Sequence, residues 1–127
     1  MEKPIAVVKK IYEAFQKADT SAILQRVAQQ VDWEFVSSPK VPYSGRRKGL
    51  SAVAQFFIDV GRTEDIIIFE PREFIEAGEH VIVLGFKRVK AKDTGRVFES
   101  EWAHIFTVQD EKVIRCRGFF DTAARFF

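Results

Sequence analysis

Cysteine is nearly missing from this chain, and that scarcity sets a first limit. One Cys in 127 residues allows no internal disulfide, which excludes a secreted disulfide scaffold. Cys116 stands between Arg115 and Arg117 without a base in the pattern, so a buried structural thiol is its expected role. An excess of one charge is also lacking. The 20 basic and 18 acidic side chains are interspersed and leave a net charge of +2, which exerts little long-range pull on phosphate or anionic lipid. Nucleic acid and membrane are therefore not expected partners. No apolar run approaches the length of a membrane span, and Met1 to Pro4 leads into a charged amphipathic pattern rather than a signal sequence, so a cytoplasmic location is expected. There is no HxH or HxxxH spacing, no phosphate-cradling glycine loop and no nucleophile elbow. Neither a metal nor a cofactor is expected.

What is present is apolar and aromatic: 46% hydrophobic residues and 13 Phe, without repeat or low-complexity tract. A single domain over 1–127 is expected. Ile5, Val8, Ile11, Tyr12 and Phe15 recur at helical spacing, with Lys9, Lys10, Glu13 and Lys17 opposite. Asp19, Thr20 and Ser21 suit the cap of a second helix, whose stripe reads Leu24, Val27, Ala28 and Val31. From Val31 to Val36 the pattern alternates as a strand, with Trp33 and Phe35 on one face.

A long loop follows from Ser37 to Gly49. It carries Tyr43 and the basic triplet Arg46, Arg47 and Lys48, either an anion site or solvated surface. Leu50, Val53, Phe57 and Val60 trace a third helix, which Gly61 can end. Four strands complete the chain: Asp65–Ile75, with Pro71 implying an edge or bulge, His80–Lys90, Arg96–Val108 and Val113–Asp121. Helices first and antiparallel strands after give an α+β layout, with a curved sheet wrapped around the helices.

The richest chemistry lies between Trp102 and Ala123. Alternation sets Trp102, His104 and Phe106 on one face of a strand, and Arg115, Arg117, Phe119 and Asp121 on one face of the next. If those faces line one cavity, a histidine and a carboxylate converge among aromatic rings, as suits a small enzyme or a small-molecule receptor. Asp121 reads two ways: a general acid/base raised by apolar neighbours with His104 sharing the proton or orienting a carbonyl, or a partner of Arg115 or Arg117 at the strand end. Trp33, Tyr43, Phe57, Trp102, Arg117 and Phe119 are the candidate ligand-contacting residues, with core packing the competing role for the large aromatics.

Three blocks carry a family resemblance. They are Tyr12 to Phe15 with Asp19, Asp32 and Trp33; Pro42 to Gly45 with Gly49, Phe56 and Phe57; and Trp102 to Phe106 with Asp110, Lys112 to Ile114 and Phe120 to Ala123. In these the chain resembles the SnoaL-like branch of the nuclear transport factor 2-like superfamily, which includes ketosteroid isomerases and polyketide cyclases. The resemblance implies a cone: a strongly bent sheet whose concave face, closed by three helices, holds an apolar pocket. It implies an acid/base role for Asp121, pocket positions for Trp33, Tyr43 and His104, and a homodimer formed through the outer sheet face. Phe126 and Phe127 are expected to pack across the pocket opening or into a second subunit. The region Val83 to Gly85 lacks the Arg-x-Asp of the epoxide hydrolases, which disfavours that reaction. The expected activity is isomerase, cyclase or dehydratase chemistry on a hydrophobic carbonyl compound, or ligand binding without turnover.

Overall fold

A computed structural model describes residues 1–127. Pro4 opens α1 (Pro4–Gln16) at the position where its missing N–H and fixed φ suit a first turn. Val7, Val8, Ile11 and Tyr12 form the buried side of that helix. Asp19 caps α2 (Thr20–Leu24) by accepting from the Ala22 N–H at 3.1 Å.

The expected second stripe is corrected here, because β1 (Val27–Val36) has already begun at Val27. The pairing register of β1 shifts between Val27 and Asp32. Val27 and Val31, four positions apart, share the buried face of this strand, as residues separated by an even number do in extended chain. The expected loop also ends in structure: β2 (Gly45–Lys48) pairs antiparallel with β1. Arg46 clamps Asp32 through bonds of 3.0 and 2.7 Å, and Arg47 reaches Asp59 at 2.7 Å. Two of the three basic side chains are thus occupied within the protein.

α3 (Leu50–Thr63) runs through Gly61 rather than ending there, and passes directly into β3 (Glu64–Ala77). Then follow β4 (His80–Ala91), β5 (Val97–Gln109), β6 (Lys112–Phe120) and the short α4 (Thr122–Phe126). The turn between β5 and β6 places Asp110 and Glu111 at φ of 51° and 64°, the positive pair that a tight twisted hairpin demands. Pro71 does lie on an edge strand, beside a register shift that ends at Glu73.

The six strands form one curved, unclosed sheet in the order β2-β1-β6-β5-β4-β3. Only β1 and β6 run parallel. The helices cover the concave face, where Val7, Val8, Val53 and Phe56 meet Val31, Trp33, Val81, Val83, Trp102 and Phe106 in one core. Two glycines make room on that face. A Cβ at Gly85 would lie 2.1 Å from Cζ2 of Trp102, and one at Gly118 would lie 2.5 Å from Cζ of Phe35. No helix is long and apolar enough to cross a membrane. The terminal aromatics do not close the core: Phe127 is 92% exposed and neither it nor Phe126 borders the cavity described next.

Candidate ligand-binding site

The register between β5 and β6 decides which residues meet inside the cone. Trp102 lies opposite Phe120, His104 opposite Gly118, and Phe106 opposite Cys116, and directly opposed residues of an antiparallel pair share a face. The inner face of β6 is therefore Cys116, Gly118 and Phe120. The expected grouping of Arg115, Arg117 and Asp121 with His104 is corrected by one residue of parity. Arg117 instead lies opposite Ile105, half-buried, with Nε 3.4 Å from Glu34 and its guanidinium over the Phe119 ring.

Asp121 follows the end of β6. It is exposed and accepts from the Ala123 N–H at 3.0 Å, capping α4, while its own N–H donates to Ser100 Oγ at 2.9 Å. No ion pair joins it to Arg115 or Arg117. It borders an open groove with Arg72, Glu73 and Glu101, whereas His104 borders the enclosed cavity. Trp102, Phe119 and Phe120 form the wall between the two spaces. The structure thus brings Trp33, Tyr43, Phe57, Trp102, His104 and Phe119 to one cavity and leaves Arg117 and Asp121 outside it.

The cavity encloses about 80 Å³, room for several water-sized groups or one small ring. Seventeen of its twenty lining residues are hydrophobic. The remaining three, Glu64, Lys87 and His104, set its chemistry. His104 stacks on Trp102 with centroids 4.2 Å apart, and the Phe35 ring lies 5.2 Å away. Its Nδ1 is 2.7 Å from the hydroxyl of Tyr12. Burial, with a smaller contribution from the positive charge of Lys87, pushes the His104 pKa down to about 3, so the ring is neutral at pH 7. Burial holds the Tyr12 phenol protonated, well above its ordinary range.

Hydrogen-bond satisfaction then assigns the tautomer. Tyr12 has no other hydrogen-bond partner, and an imidazole donating from Nδ1 would orphan the buried phenol proton, at about 1–3 kcal/mol. Tyr12 therefore donates to Nδ1, which leaves the imidazole proton on Nε2. Nε2 has no protein partner, so this N–H is a donor available to a ligand.

At the other polar end, Tyr43 donates to Glu64 Oε2 at 2.8 Å and Arg125 donates to the same oxygen at 3.1 Å. Lys87 Nζ approaches Glu64 Oε1 at 3.5 Å and the Tyr43 oxygen at 3.3 Å, with the Phe120 ring centred 3.7 Å away. Burial lowers the proton affinity of Lys87, and Glu64 opposes that shift. Burial first, then the Glu64 charge, drives the Tyr43 phenol far up. Burial also raises Cys116, which is a sealed neutral thiol in the wall, as its position suggested. The indole N–H groups of Trp33 and Trp102 are buried without an acceptor. The lining's one carboxylate is therefore already engaged, by Tyr43 and Lys87 from the lining and by Arg125 from outside it, and leaves donors without an acceptor.

Tyr12, Glu64 and Lys87 escaped the sequence reading. Tyr12 was legible as part of an apolar helix stripe and of a family block, without a site role, and charged side chains are mostly exposed. A usable signal was the strand parity of Lys87 with the buried Val83 and Val89.

A curved sheet closing on helices around an apolar cavity defines the cone of the NTF2-like fold. A family model for the SnoaL-like domain matches residues 8–116, and the chain belongs to that family. Among solved structures, an NTF2-like protein from Burkholderia xenovorans LB400 is 30% identical, over 95% of this chain and 91% of that one, with a TM-score of 0.86. An NTF2-like protein of unknown function from Burkholderia pseudomallei K96243 is 29% identical, over 97% and 94%, with a TM-score of 0.87. TerC, co-crystallized with polyporic acid, is 27% identical over 97% and 95%, with a TM-score of 0.86. A search of curated proteins gives no significant match.

Proposed function

We propose that this SnoaL-like protein binds a small apolar carbonyl compound in the cone, with the carbonyl oxygen accepting from the Nε2–H of His104. The observation that carries this reading is the surplus of donors in an otherwise apolar cavity. Buried donors without acceptors are unfavourable, and a ligand oxygen relieves that deficit. A neutral imidazole donor polarises a carbonyl without introducing a full charge, which suits isomerase, cyclase or dehydratase chemistry proceeding through an enol or enolate. That a related fold was crystallised with a small molecule supports the binding half of the proposal.

A second reading, binding without turnover, is favoured by one feature: Glu64 is saturated by Tyr43, Arg125 and Lys87, so the cavity has no free carboxylate to act as base. Acetophenone separates the two. Its affinity should fall on His104→Phe, which keeps a ring and removes the donor. Exchange of its methyl protons in deuterium oxide, followed by NMR, should be accelerated by wild type if the site transfers protons. Binding without acceleration identifies a carrier, and affinity indifferent to His104→Phe refutes the proposed contact. We also place a homodimer contact on the exposed apolar side chains of the sheet, Ile67, Ile75, Leu84 and Val97. A monomeric sedimentation coefficient would refute it.

A further inference from the structure

Two buried cations, Lys87 and Arg125, face the single buried carboxylate of Glu64. Arg125 has a second acid, Asp93 at 3.2 Å, on the exposed rim. Lys87 has none. Of its three N–H donors, two reach only the long contacts to Tyr43 and Glu64, and the third has no polar protein acceptor, with the faces of Phe120, Tyr43 and Phe98 around the ammonium. Lys87 lines the same cavity as His104. An ammonium removed from water is favourable only when strong acceptors replace its hydration, and here the protein supplies too few.

We propose that Lys87 anchors an oxyanion, so that the ligand of this cavity is an apolar, ring-sized acid or enolate. Its charged oxygen rests on Lys87 and its ring lies among Phe120, Tyr43 and Trp102. The inference builds on the carbonyl-binding reading and adds the charge of the ligand to it. Arg125 cannot take this part, because it is held by Glu64 and Asp93 and does not border the cavity. His104 supplies a neutral donor for a second oxygen or for the same group.

Benzoate, benzamide and acetophenone share one ring and differ in charge, so calorimetric titration of all three tests the assignment. Wild type should bind benzoate roughly tenfold or more tightly than benzamide, the range of a charge-assisted hydrogen bond. Lys87→Met, which preserves length and apolar volume, should abolish that preference, with benzoate losing far more affinity than benzamide or acetophenone. Benzoate no tighter than benzamide, or a preference that survives Lys87→Met, overturns the inference. If acetophenone still binds through His104 in that case, the carbonyl reading stands alone. If none of the three binds, both fall. Should Lys87→Met fail to fold, the NMR shift of an isotope-labelled benzoate carboxyl bound to wild type decides: an ionised position supports the anchor, and a carboxylic-acid position refutes it.

Discussion

Acid should destabilise this protein in a pH range where carboxylates are still silent, because of one imidazole. His104 is neutral in the fold, with its pKa pushed down to about 3, against 6.5 for an unperturbed ring. The unfolded chain accepts a proton that the folded chain refuses, so its stability contribution is complete above about pH 6.5 and declines as pH falls toward about 3. The slope within that window is about 1.4 kcal/mol per pH unit. Between about pH 6.5 and about pH 5 the folded state should therefore lose about 2 kcal/mol, a large share of the stability of an ordinary domain. The carboxylates of Asp32 and Asp59, held low chiefly by hydrogen bonds from Arg46 to Asp32 and from Gln55 and Arg47 to Asp59, have ordinary values of 3.8. Their stabilising effect is lost only as pH falls through that value, below the interval from about pH 6.5 to about pH 5. Urea titrations of wild type and His104→Asn across this range provide the assay. Wild type should show the slope, and the variant, though less stable overall, should be nearly flat. A flat wild-type profile, or an equal slope in both proteins, would refute a buried neutral His104.

The other expectations concern supports of the same cavity. Glu64→Gln leaves Lys87 buried without a carboxylate and Arg125 with Asp93 alone, and should cost about 3–5 kcal/mol in urea unfolding; a loss below that range would mean that water reaches the cluster. Gly85→Ala forces a methyl against Trp102 and within 2.6 Å of the Glu70 carbonyl oxygen. It should destabilise by about 3 kcal/mol, with altered tryptophan fluorescence, and unchanged fluorescence would argue against the Trp102 placement. Asp121→Asn preserves the cap of α4 and should leave both stability and acetophenone binding as they are, whereas Asp121→Ala should lose about 1 kcal/mol. Proton exchange abolished by Asp121→Asn would return that residue to the catalytic site.

The helix–sheet layout and most of the aromatic wall were legible in the sequence because they rest on local periodicity. The stripe from Ile5 to Phe15, the strand alternation and the Asp19 cap needed no knowledge of distant partners. The failures occurred where a partner strand decides. Val27 and Val31 imitate a helix because a spacing of four falls on one face of a strand as well as of a helix. Arg117 and Asp121 were given to the inner face because that parity carried the conspicuous chemistry. The opposite parity, Cys116, Gly118 and Phe120, was the one that fitted, its glycine making room for Phe35. Charge misled for a related reason: Glu64 and Lys87 tolerate burial only because Arg125 and Tyr43 reach them from elsewhere in the chain.

The single parallel pairing in the sheet has a consequence for how this protein is made. Trp33 of the first strand registers against Cys116 of the last. Tyr12 meets His104 across 92 positions and Glu64 meets Arg125 across 61. During synthesis the amphipathic helices emerge well before the strands whose concave face they cover. The apolar side of α1 gains its partners only as β3, β4 and β5 follow, the sheet is complete only when β6 docks beside β1, and closing such non-local contacts is intrinsically slow. The cavity is therefore completed late in folding: Glu64 gains Arg125, and the wall gains Phe119 and Phe120, only once β6 and α4 have been made. A chain cut before Val113 would contain most of the cavity's residues but lack the wall of Cys116, Phe119 and Phe120 and the Arg125 partner of Glu64.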